Sequence, residues 1–217
     1  MPVIIYKTYG SVLFILFFCF GSYKCKRKEG DCMPIDAKEM IAEAAGKLLI
    51  EKKVKKLTVK DIVEECHITR QSFYYHFEDI PGLLQWILEQ GAEKMLQEAR
   101  MKEGIEEALQ YFFLVAINAK PYVQKTMQTN YGDEIERLLK QQLYQMFERL
   151  AEEQNLYPNL SRAELKWVLR YHCHAITGIL RDWTDEDTKN LDQIVHEIHR
   201  LFAGQISFEP DKIKETE

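Results

Sequence analysis

Positions 69–77 read Thr-Arg-Gln-Ser-Phe-Tyr-Tyr-His-Phe, and every side chain in that run except the two phenylalanines carries a hydrogen-bonding group. At about 100° per residue, a helix here places Phe73 and Phe77 on one face and Gln71 and Tyr75 on the opposite one. Arg70 and Tyr74 fall on one flank, Ser72 and His76 on the other. Such a surface suits recognition rather than catalysis. Its outer edge can meet base edges in a major groove while its flanks reach the two phosphate walls.

Something must hold that ridge outward. Thr58 predicts an N-cap for a preceding helix running to about Glu65, with Asp61 three residues on as a near capping-box partner. Ile62, Val63 and Cys66 give that helix an inward face, Cys66-His67-Ile68 makes a turn, and Thr69 caps the second helix. Phe73 and Phe77, one turn apart, anchor it together with Ile68. A further helix, capped by Asp36 and running from Ala37 to about Lys52, braces the pair through Met40, Ile41, Ala44, Ala45, Leu48 and Leu49. Lys52, Lys53, Lys55, Lys56 and Lys60 concentrate positive charge just before and inside the motif, where it can track phosphates.

The run from Thr58 to Phe77, and F-Y-Y-H-F above all, resembles the helix-turn-helix of TetR-family regulators. The resemblance implies that Thr58, Tyr74 and His76 hold phosphates while Arg70, Gln71, Ser72 and Tyr75 enter the groove. Lys60 and Thr69 complete the expected DNA-facing set. Two positions depart from the family pattern. His67 stands where glycine is usual in the turn, and histidine tolerates positive φ at some cost. Ile80 stands where a phosphate-binding lysine often opens the fourth helix, which predicts one fewer phosphate contact and a flatter salt dependence. The plan of the family implies a DNA-binding head followed by a larger helical domain that dimerises and often binds a small molecule. Gly178-Ile-Leu-Arg-Asp-Trp183 is similar to a late-helix signature in the branch that includes dihydroxyacetone-kinase regulators.

Composition is compatible with this. With 217 residues and 46% hydrophobic content the chain can bury a real core, and a net charge of −5 argues against indiscriminate coating of nucleic acid. Three of the five cysteines fall within the first 32 residues and no C-x-x-C pair occurs, which suits a reducing cytoplasm without a disulfide framework. Residues 1–32 hold an apolar run, Ser11 to Phe20, followed by Lys24, Lys26, Arg27 and Lys28. The positive residues follow the run rather than precede it, unlike a secretory signal, and the uncharged stretch is short for a membrane span. Met33 looks like an ordinary start leading into the first helix. An over-extended start is therefore preferred to a membrane anchor, and the leader is set aside.

From Asp36 onward the pattern is all-α: a three-helix head over 33–80, then a helical regulatory and dimerisation domain over 81–217. A fourth helix begins at Asp79-Ile-Pro-Gly. Further helices are expected near Gly104–Asn118, Lys120–Gln128, Asp133–Gln154, Ser161–Trp183 and Thr188–Ala203, with Pro121 at the start of one and a capping box at Ser161-Arg-Ala-Glu164.

Dimerisation has a motive, since one recognition helix reads too few base pairs for useful specificity. The expected interface lies on the last two long helices, with Ala175, Gly178 and Ile179 facing Ile194, Ile198 and Leu201. A small-molecule effector of unspecified identity would be enclosed by Trp86, Tyr111, Phe112, Tyr122, Met127, Tyr131, Met146, Trp167 and Tyr171, with the fourth helix as the lever to the head.

No metal site, cofactor or catalytic residue is expected. His172 and His174 project to opposite sides of a helix, and His196 and His199 lack an obvious third ligand. The chain also lacks a phosphate-cradling glycine loop, an H-E-x-x-H pair and a nucleophile elbow. The reading is a cytoplasmic transcriptional regulator, in the family's commoner direction a repressor, that binds a palindromic DNA operator as a homodimer. The alternative is a membrane-tethered helical protein-interaction module.

Overall fold

The computed structural model describes residues 36–205. Among them are nine helices and no strand. The head is built from α1 (Ala37–Ile50), α2 (Val59–Cys66) and α3 (Arg70–His76). Its ends are set by local chemistry: Asp36 accepts from the Lys38 amide at 3.0 Å, Thr58 from that of Asp61 at 3.2 Å, and Thr69 from that of Ser72 at 3.1 Å. Between α2 and α3, His67 adopts the left-handed conformation at φ 56°, and the Ile68 amide closes the turn on the Val63 carbonyl at 3.0 Å. Histidine thus does the work of the expected glycine.

The larger part comprises α4 (Ile80–Arg100), α5 (Ile105–Thr126), α6 (Gly132–Glu153), α7 (Arg162–Asp182), α8 (Asp185–Lys189) and α9 (Leu191–Phe202). Pro81 sits in the first turn of α4, where its missing N–H is not needed, and the Ser161–Glu164 capping box opens α7 as expected. Two expectations fail. Instead of separate helices on either side of Pro121, α5 runs through it without a break. An interior proline costs about 3 kcal/mol, but α5 is held at both ends, by Phe112 and Phe113 in one core and by Tyr122 in another. Tertiary anchoring on both sides outweighs the local penalty. The expected Thr188–Ala203 helix is instead split at Asn190, because Thr184 and Asp187 form a second capping box that starts α8 early.

Two hydrophobic cores result. The first joins the head to the first two turns of α4 and to Ile135 and Leu138 of α6. The second gathers Leu96, Phe113, Met146, Ile176, Val195 and Ile198, closed by Trp183, whose ring lies 5.5 Å from that of Phe113. Because α4 contributes to both, it is a rigid link between head and body.

A second link is polar. Asn130, in the turn between α5 and α6, donates its amide to the Lys55 carbonyl at 3.0 Å and accepts from the Leu57 amide at 3.0 Å through its side chain. Leu57 is fully buried just ahead of α2. Asn130→Ala keeps the backbone bond and removes the other. It should lower stability by about 1 kcal/mol and speed hydrogen exchange at the Leu57 amide. Unchanged exchange there would show that the clip carries no load.

Candidate nucleic-acid interface

The surface of α3 is sorted by its own phase. Phe73 is 0% and Phe77 6% exposed, while Tyr75 on the opposite side is 85% and Tyr74 56% exposed. Phe73 and Phe77 pack inward with centroids 6.0 Å apart, Phe77 meets Trp86 of α4 at 5.7 Å, and the Lys38 ammonium lies over the Phe77 ring at 5.5 Å. Burying two phenylalanines on a seven-residue helix fixes its roll, so the polar ridge has only one way to point. Arg70 and Gln71 are exposed beside Tyr75, whereas Ser72 and His76 are half-buried on the flank. The Tyr75 and His76 rings touch edge to face at 5.0 Å.

Thr69 is exposed and spends its oxygen as the α3 cap. Thr58 is committed more fully, since its hydroxyl also donates to the Asp61 carboxylate at 2.6 Å. What the start of α2 offers outward is therefore chiefly the positive end of its dipole. Ile80 is buried in the first core, so α4 opens with an anchor where the family pattern often has a cation.

The lysine run divides in two. Lys52 does not stand free: together with Lys47, whose ammonium is 2.6 Å from the Glu65 carboxylate, it holds that carboxylate and pins α1 to α2. Lys60 faces Glu64 at 3.7 Å on an exposed helix surface, a weak pair that a phosphate can displace. Lys53, Lys55 and Lys56 are exposed and carry no ion pair among the described residues.

The two ammonium groups pull the Glu65 pKa from 4.5 down to about 2. A carboxyl depressed on folding adds stability above its unfolded pKa and loses it as pH falls through the folded value. Glu65→Gln should therefore melt at lower temperature than the parent at neutral pH. That gap should close between pH 4.5 and about 2, as thermal melts across the range will show.

Behind the head, α4, α5, α6, α7 and α9 enclose a cavity of about 330 Å³. Of the nine residues expected around an effector, Phe112 and Met146 line it. Trp86, Tyr122, Met127 and Tyr131 pack against the first core instead. Tyr111 lies half-buried under the Lys102 ammonium, 4.7 Å from the ring. Trp167 and Tyr171 are 66% and 70% exposed, one turn apart on the outside of α7. Aromatic character alone did not separate core, cavity and surface; helical phase did. The residues missed include Tyr157, Leu169, His172 and Phe202. A signal for His172 was present, because it shares the inward stripe of Leu169, Cys173 and Ile176.

The expected interface residues also separate. Ile198 is buried in the second core of its own chain, and Ile179 and Ile194 pack against that core, since α9 turns its apolar face onto α5. Ala175 and Gly178 remain half-buried on α7, a Cβ added at Gly178 would meet nothing within 4 Å, and Leu201 is 52% exposed. Trp167 and Tyr171 continue the line of Ala175 and Gly178 along α7.

Glu106 of α5 reaches between His196 and His199, at 3.0 and 3.2 Å. This is the carboxylate that sequence spacing could not supply. The trio ties α5 to α9, with a hydrogen bond at His196 and a close contact at His199; among the described residues no group of three or more His, Cys, Asp or Glu is placed to hold a metal ion.

Residues 41–86, spanning most of α1 through the start of α4, match the family described as bacterial regulatory proteins, tetR family. Residues 103–204 match the transcriptional regulator C-terminal region, so the two together take in about two thirds of the chain. The chain belongs to the TetR family of transcriptional regulators. It is a DNA-binding regulator with a helix-turn-helix head and a helical C-terminal part. The same architecture appears in the dihydroxyacetone kinase operon activator DhaS, at 22% identity and TM-score 0.52 over 78% of this chain and 95% of that one. The fatty acid degradation regulator FadR from Bacillus halodurans is also similar, at 15% identity and TM-score 0.47 over 78% of this chain and 99% of the other. No curated protein matches the sequence.

No helix among the described residues of this TetR regulator is long and apolar enough to cross a membrane. The apolar leader lies outside them. The family assignment favours gene regulation over the tethered interaction module.

Proposed function

We propose that this regulator reads a palindromic operator as a homodimer in the cytoplasm, acting as a repressor in the family's commoner direction, under the control of a small molecule bound in the cavity behind α4. The observation that carries the reading is the inversion across α3, with Phe73 fully buried under a Tyr75 that is 85% exposed. In this arrangement Arg70, Gln71, Ser72 and Tyr75 face base edges. Tyr74, His76, Thr58, Lys60 and Thr69 face the backbone.

The dimer is supported by α7. Trp167, Tyr171, Ala175 and Gly178 lie along one stripe of α7, with large exposed aromatics at one end and half-buried small residues at the other. A second copy packed on that stripe would set two reading heads side by side. The division at about residue 80 marks the reading head (33–80) and the regulatory body (81–217), with α4 spanning both. Ile80 and Leu83 of α4 sit in the first core, while Met95 and Ala99 line the cavity. A shift of α4 on ligand binding would therefore change head spacing, and a coupling of about 1–3 kcal/mol would change operator affinity about 5–150-fold.

Selection of random duplexes by the full chain tests this. The expected product is an inverted repeat with half-sites about one helical turn apart. Enrichment of isolated half-sites, or of nothing, removes the dimeric operator reading. Crosslinking the two α3 helices at operator spacing should abolish any effector response.

A further inference from the structure

The cavity behind α4 is lined mainly by apolar side chains, among them Phe112, Phe147, Leu150 and Phe202, with Gln154, Tyr157, His172 and His199 as its polar members. At about 330 Å³ it lies near the lower end for small-molecule sites. No Lys, Arg, Asp or Glu is among the described residues that line it, so a charged ligand would lose its hydration without gaining a counter-ion. Its two histidines differ. His199 Nδ1 lies 3.2 Å from the Glu106 carboxylate. His172 is 8% exposed; its Nε2 meets the Tyr157 hydroxyl at 3.0 Å, and its Nδ1 is buried without a partner.

Where the Tyr157 phenol donates to His172 Nε2, the ring proton sits on Nδ1 and the orphan atom is a donor. Burial pushes the Tyr157 pKa up and the His172 pKa down, which keeps a neutral phenol beside a neutral imidazole. The ring is clamped by Phe202, with centroids 4.1 Å apart, and by Tyr157 on another side at 6.2 Å. With the proton on Nδ1, the ring presents a buried, unpartnered N–H donor in the wall of a mainly apolar cavity. A buried donor without an acceptor is costly, and a molecule that supplies one recovers that cost on binding.

We infer that this cavity takes an uncharged, mainly apolar or aromatic molecule that presents a single hydrogen-bond acceptor to His172 Nδ1. The inference rests on the effector reading above and narrows it to a ligand class. A ketone, ester or ether on a hydrocarbon or aromatic body fits; phosphates, amines and sugars do not.

The test is a binding titration of the full chain with three probes of one shape. 2-Acetylnaphthalene offers a carbonyl, 2-isopropylnaphthalene replaces that oxygen with a methyl group, and 1-(2-naphthyl)ethylamine carries a positive charge. The ketone should bind on the order of tenfold tighter than the hydrocarbon, the amine most weakly, and the preference for the ketone should vanish in His172→Phe. Long-range nitrogen–proton spectra of the unaltered protein give an independent reading if that variant fails to fold, since the His172 Nδ1 signal should move with the ketone and not with the hydrocarbon. Equal affinities, no binding by either neutral probe, tighter binding of the amine, or a preference that survives His172→Phe overturns the ligand class. Operator affinity measured with the ketone bound separates the two readings. If the ketone binds through His172 without changing operator affinity, the ligand class stands and the effector reading falls.

Discussion

Phe73→Ala should destabilise the head by about 3–5 kcal/mol, and operator binding should disappear with it. The ring is fully buried, one turn from Phe77 and edge-on to Tyr74 at 5.5 Å. No second aromatic is positioned to refill the space, because Phe77 is already engaged with Trp86. Small domains have about 5–15 kcal/mol of total stability, so a loss of this size leaves much of the head unfolded at growth temperature. The body keeps its own core around Phe113 and Trp183, and melting should then split into two transitions. Phe73→Leu, which keeps much of the volume, should cost less than half as much and retain binding. Calorimetry with an operator shift assay reads both effects. A variant within 1 kcal/mol of the parent would show that this ring does not set the roll of α3.

The head was legible because its determinants are local. Caps at Thr58 and Thr69, a three-residue turn and two phenylalanines at i and i+4 each act within one or two helical turns, and together they leave one arrangement. The left-handed turn at His67 belongs to the same class. The body was legible as helices but not as faces. Whether Trp167 meets a cavity or solvent depends on the phase of α7 relative to α4 and α6, contacts that neighbouring residues do not encode. Pro121 shows the converse case, in which a strong local rule yields to anchoring at both ends of α5. The pairing of Lys52 was not legible because its partner Glu65 lies thirteen residues away on another helix. Among the histidines, His172 reads from sequence as one half of an impossible metal pair. Its place on the inward stripe of α7 makes it instead the polar mark of the cavity.

The second large effect concerns affinity without stability. Gln71→Ala with Tyr75→Ala removes the outermost pair of the α3 ridge and leaves the packing beneath untouched. Substitutions at exposed positions of this kind usually change folding by less than about 0.5 kcal/mol, so melting should be nearly unchanged. Base-edge contacts are worth about 1–3 kcal/mol each. The double variant should therefore bind the selected operator about thirtyfold more weakly, or worse. Because the two residues are one turn apart on the same edge, the single losses need not add. Binding to unrelated duplex should persist, and the salt slope should hold, since neither side chain carries charge. Lys56→Ala should act in the opposite way, lowering affinity for all sequences alike and flattening the slope by about one ion. That crossed result separates reading from holding. If the Gln71/Tyr75 double variant kept its operator affinity, the ridge of α3 would not be in the groove, however well it is shaped for one.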